Sequence, residues 1–137
     1  MNNLDTTRIA ATGMLIILSL IILFHLLVMV GIIPYDMVWG GRLKNSAQML
    51  SFEAISILLN LIMLAVVGIK AGVFKVNIHR TIIQVALWAM FGLFLLNTLG
   101  NLLSQNELEK LIFTPLTLLL AVFSLRLALS KEPKVSY

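Results

Sequence analysis

The chain has 137 residues, 60% of them hydrophobic and 12% charged, with a mean hydropathy of +1.02. Soluble domains carry about 25% charged residues, so this composition excludes one and indicates an integral membrane protein. A single domain, 1–137, has room for up to about five spanning helices of roughly 20 residues each. The net charge of +4 reads as membrane topology and not as nucleic-acid binding, and the absence of cysteine excludes disulfides, thiol nucleophiles and thiolate metal sites.

Met1 to Arg8 is polar, with Asp5-Thr6-Thr7 as a helix start, and from Ile9 to Ile33 there is no formal charge, only His25. A signal peptide also opens with a basic residue and an apolar run, but its apolar region spans about 7–15 residues and ends in small residues. This run is longer and ends GIIPYD. It is read as a retained transmembrane helix, 9–33, with Pro34 as its stop. The loop from Tyr35 to Gln48 contains Asp36, Trp39, Gly40-Gly41 and Arg42, an aromatic ring at headgroup level beside a backbone break.

Asn45 or Ser46 is placed as the cap of a second helix, 47–69, which is charge-free after Glu53. Gly68 and Gly72 have GxxxG spacing, read as a helix exit in preference to a dimer motif. A basic turn, KAGVFKVNIHR, precedes the charge-free span Thr81 to Asn106, giving a third helix over 80–105. In the acidic turn that follows, Asn106 or Gln105 begins a fourth helix, 111–129, with Thr114-Pro115 in its first turns and Arg126 able to snorkel to the surface.

The spacing of the polar residues places them on two faces. Glu53, Ser56 and Asn60 follow i, i+3, i+7, and Asn97, Asn101 and Ser104 follow i, i+4, i+7, so each set forms one stripe. Polar groups avoid lipid, and with His25 the stripes are expected to form a polar wedge in the outer half of the bundle. The competing reading is that Asn60, Asn97 and Asn101 hydrogen-bond between helices, each contributing about 0.6–2 kcal/mol, with no ligand. His25 alone also fits a satisfied interior histidine. A carboxylate about two turns deep costs a few kcal/mol unless paired or protonated, so Glu53 is read either as a site residue or as the partner of Arg42 or Lys44 in a clamp. Asp36 and Arg42 flank Trp39 and could form an ordinary loop ion pair.

The segments HLLVMVGIIPYDMVWGGRLK, FEAISILLNLIMLAVVGIKAG and LFLLNTLGN resemble a family of small bacterial four-helix integral membrane proteins, over about His25 to Arg126. That resemblance implies the architecture and brings no assigned activity, cofactor or site. The likeness to the four-helix sterol-isomerase-like group, which buries two acids in one pocket, is architectural only, since here Glu53 alone is suitably placed.

The expected fold is an all-α, four-helix transmembrane bundle in the cytoplasmic (inner) membrane with both termini inside. That orientation puts Arg8, Lys70, Lys75, Arg80, Arg126, Lys131 and Lys134 inside and only Arg42, Lys44 and Lys110 outside. The expected function is binding of a small amphipathic or lipid-like ligand, with His25, Asp36, Trp39, Arg42, Glu53, Asn60, Asn97 and Asn101 as candidate contacts. The alternatives are a proton or small-solute transporter acting as a homo-oligomer, and an intramembrane enzyme using Glu53 and His25 as acid and base, which requires an approach of about 3 Å. No cofactor, metal or nucleic acid is expected; the partners are the lipid bilayer and a further copy or another membrane protein.

Overall fold

The structure, a computed structural model, describes residues 3–130. Four α-helices, α1 (Asn3–Met29), α2 (Ser46–Lys70), α3 (Arg80–Leu102) and α4 (Glu107–Leu129), alternate in direction, with two 3-10 turns, Tyr35–Met37 and Trp39–Gly41, between the first pair. At about 1.5 Å per residue they are about 35–40 Å long, and each is long and apolar enough to cross a bilayer. Large apolar side chains such as Leu20, Leu58, Ile62, Leu96 and Val122 point outward and are exposed, which suits lipid and not water.

Local chemistry accounts for the helix ends, and four of them differ from the expected bounds, α3 stopping at Leu102 instead of at residue 105. The polar residues before Ile9 are helical, because Arg126 Nε of α4 donates to Thr6 Oγ1 at 2.9 Å and ties that first turn to its neighbour. At the other end of α1 the stop is Gly31, not Pro34. Gly31 adopts φ +80°, a conformation glycine enters without the Cβ penalty, and the Ile32 and Gly31 amides donate back to the Leu27 and Val28 carbonyls. The same closure at Gly72 ends α2, confirming the exit reading of the glycine pair, and Phe74 then folds its ring over Gly68. Asn45 caps α2 by accepting from the Gln48 amide. Asn106 caps α4 by accepting from the Leu108 and Glu109 amides, ahead of the apolar run, so Pro115 lies two turns inside the helix instead of in its first turns.

Packing divides the bundle into two halves. Adjacent helices α1–α2 and α3–α4 form two close hairpins joined through α1 and α4, while α2 and α3 touch least of the helices that lie side by side. Toward the end that carries Arg8 and the α2–α3 turn, Met14, Leu18, Val67, Leu87, Leu120 and Leu127 are fully buried in one apolar core. Toward the other end, a smaller cluster of Val28, Val38 and Met49 lies beneath the first loop. Between the two clusters the packing opens into a cavity.

Candidate functional site

The first loop folds back onto the bundle through a run of left-handed backbone. Trp39 has φ +56°, followed by Gly40 at +65° and Gly41 at +69°. Glycine enters this region freely, but a bulky residue does so at a cost of about 1–3 kcal/mol, and such strain tends to persist where surrounding contacts over-determine it. Those contacts are present. The Trp39 indole Nε1 donates to Glu53 Oε1 at 2.8 Å, the Gly40 amide donates to Glu109 Oε2 at 2.7 Å, and Asn106 Nδ2 donates to the Met37 carbonyl at 2.7 Å. The loop is thereby fastened to α2 and to the start of α4, with the indole edge-on to Phe52.

Glu53 is fully buried and both of its oxygens are used. While Oε1 takes the indole proton, Oε2 lies 2.6 Å from His25 Nδ1 on α1. The expected clamp from Arg42 or Lys44 is not what holds it: those two residues border a separate surface pocket with Leu43, Gln48 and Phe52. The physical reason is that indole and imidazole carry an N–H donor on a flat, largely apolar ring that can itself be buried, whereas a guanidinium or ammonium brings a hydration shell. The 2.6 Å contact also meets the distance that acid–base chemistry between these residues would need. A proton on Nδ1 facing the carboxylate, assigned from this hydrogen bond, leaves the Nε2 lone pair available.

His25 lines a cavity of about 250 Å³, bounded by all four helices and the loop. Its polar wall holds Trp39, Ser56, Asn60, Asn97, Asn101 and Thr117, and Glu109 at the loop end. Ile21, Met63, Leu93 and Phe94 form the apolar floor toward the dry core, with Phe24 and Phe113 edge-to-face at 5.1 Å. Asn97 and Leu59 line the cavity and are also exposed, on the two helices that pack least tightly, so the cavity reaches the outer face of the bundle along the α2–α3 seam.

The structure thus brings together His25, Trp39, Asn60, Asn97 and Asn101, with Glu53 behind His25. It leaves out Arg42, which borders the neighbouring pocket, and Asp36, which is exposed; the two form no ion pair. The asparagines are not a uniform set of cross-links. Asn60 Nδ2 donates to the Ser56 carbonyl of its own helix at 2.8 Å, and Asn97 makes no hydrogen bond among the described residues. Only Asn101 reaches across, to Thr117 Oγ1 at 3.3 Å, where Thr98 Oγ1 also bonds at 2.9 Å. Glu109 was not foreseen as a site residue; its position three residues after Asn106 marks the first turn of α4, but nothing local signals its contact with Gly40. Among the described residues no group of three His, Asp or Glu side chains is placed to hold a metal ion.

Compared with protein-family models, with curated proteins and with solved structures, the chain matches none.

Proposed function

We propose that the chain is a multi-pass protein of the cytoplasmic membrane, with both termini inside, that binds a small amphipathic, lipid-like ligand in the cavity between the loop and the apolar core. The observation that carries this is the cavity itself: about 250 Å³, polar at the loop end and apolar at its floor, with an opening along the α2–α3 seam. Small-molecule sites are typically concave, mostly apolar and furnished with a few convergent polar groups. The seam gives an apolar body a route from the bilayer, and the loop end gives its head hydrogen-bonding partners. For orientation, Arg8, Lys70, Lys75, Arg80 and Arg126 gather at one end, while Arg42, Lys44 and Lys110 lie at the other, a bias that supports an inside location for the first end. Lys131 and Lys134 lie outside the described residues.

The test uses Trp39 as a reporter. Trp88 lies away from the cavity against Phe91, so Trp88→Phe leaves one tryptophan, on the cavity wall. Titration of the purified protein with dodecyl-chain amphiphiles should shift Trp39 emission saturably, and Asn60→Phe, which fills the cavity, should abolish the shift while the protein still melts cooperatively. A wholly linear response in the unfilled protein would defeat the proposal.

The His25–Glu53 contact favours a second reading, an intramembrane enzyme in which Glu53 orients the imidazole and Nε2 acts as general base on the bound molecule. His25→Gln should then leave binding in place and stop turnover, read by mass spectrometry of the recovered ligand; unchanged turnover would dismiss this reading. Transport through a single chain is disfavoured by the closed apolar core below the cavity.

A further inference from the structure

We infer that the cavity selects a cationic amphiphile, a protonated amine on an apolar body. This rests on the binding reading above and adds the charge of what is bound. Its ground is an imbalance of charge inside the fold. Glu109 lines the cavity and Glu53 stands directly behind His25, yet no lysine or arginine lines it. Arg42 and Lys44 border the neighbouring surface pocket, and Lys110 is engaged by Glu107 at 2.9 Å; Arg42 Nε and Glu109 Oε2 both come within 4 Å of the Cβ position at Gly40, but the two side chains form no ion pair. Counted at their formal charges, the side chains that line the cavity include one carboxylate and no cation. Uncompensated charge in a poorly hydrated place favours a ligand of opposite sign.

The hydrogen-bonding groups agree with the charge. In a sequence such as Asn106-x-x-Glu109, the glutamate usually turns back to bond the amide of the capping residue. Here the Asn106 amide donates to Ser104 Oγ at 3.1 Å instead. Both the Ser104 hydroxyl and the Gly40 amide donate to Glu109 Oε2. Glu109 is thereby turned toward the loop, and its Oε1 accepts no hydrogen bond among the described residues. His25 Nε2 adds a second acceptor. A protonated amine supplies the donors these atoms lack, and the faces of Trp39, Phe24 and Phe113 attract a cation as well. An anionic head would meet Glu109 with no basic side chain among the cavity's lining to offset it.

The experiment compares chain-matched probes on the Trp88→Phe protein in dodecyl maltoside at pH 7, reading Trp39 emission. Dodecylamine should bind at least about tenfold tighter than dodecanol or laurate. Glu109→Gln should remove most of that preference, read as the ratio of dodecylamine to dodecanol affinity on the same variant. Should that variant fail to fold, Asn97→Asp serves in its place, since Asn97 makes no hydrogen bond to lose; an acid there should raise the preference for the amine. Lysophosphatidylethanolamine, with its ammonium beside a phosphate, separates two sources of the same chemistry: tighter binding than dodecylamine assigns a lipid headgroup, weaker binding a free amine. Dodecanol or laurate binding as tightly as dodecylamine would overturn the cation inference and leave the binding reading standing. Absence of saturable binding by every probe would bring down the binding reading with it.

Discussion

Glu53 has no exposure to solvent and is held by two ring nitrogens from different parts of the chain, those of His25 and Trp39. Removing a donor from a buried acceptor costs about 1–3 kcal/mol. Trp39→Phe keeps an aromatic ring but deletes the N–H and part of the indole, so it should lower stability by at least about that amount, and combining it with Glu53→Gln should cost clearly less than the sum of the two single changes in a melting-temperature cycle. The cycle of Glu53→Gln with Arg42→Gln should be additive, because the two side chains are not paired. Strong coupling there would contradict the geometry. That Glu53 needed a partner was legible from its depth in an apolar run, but the identity of the partner was not. Arg42 and Lys44 are the nearest cations along the chain, whereas the partner in space depends on a left-handed turn at Trp39 that no residue preference predicts. Glu109 was missed for the same reason, since its contact with Gly40 joins the first loop to the first turn of α4, far apart in sequence.

At the scale of elements, the four helices were legible because each is a long apolar run between charged turns, which few other structures can accommodate in lipid. Their ends were legible only in part, since capping is decided by single residues: Gly31 closes α1 before Pro34 is reached, whereas Asn106, one of the two residues expected to open α4, does cap it. The loop between α1 and α2 depends most on one such residue. At Gly40, with φ +65°, an alanine would add a left-handed penalty of about 1–2 kcal/mol and place its Cβ 3.4 Å from Arg42 Nε and 3.6 Å from Ser104 Oγ. Gly40→Ala should therefore lower the melting temperature in detergent and speed protease cleavage within Pro34–Asn45, while the Gly40 amide can still reach Glu109. Unchanged cleavage and melting would show that the loop has another way to hold its shape.

For the whole molecule, the arrangement of charges predicts that a protease site inserted at Gly41 is cut from outside the cell and one at Lys75 is not; cleavage at Lys75 from outside would reverse the orientation. The two halves of the bundle also differ in how they are held. One end is a continuous apolar core, and the other is two hairpins fastened by a few hydrogen bonds around a cavity, with α2 and α3 barely in contact. Such a body is a pair of tweezers: its easiest deformation pivots about the packed end and parts the tips, so a bound molecule would be gripped by elastic closure of the helices as well as by its polar contacts. Backbone amide exchange should record this as a gradient along each helix, with the Leu87 and Leu120 levels exchanging slowest and those of Asn60 and Asn97 faster, and ligand should slow only the fast end.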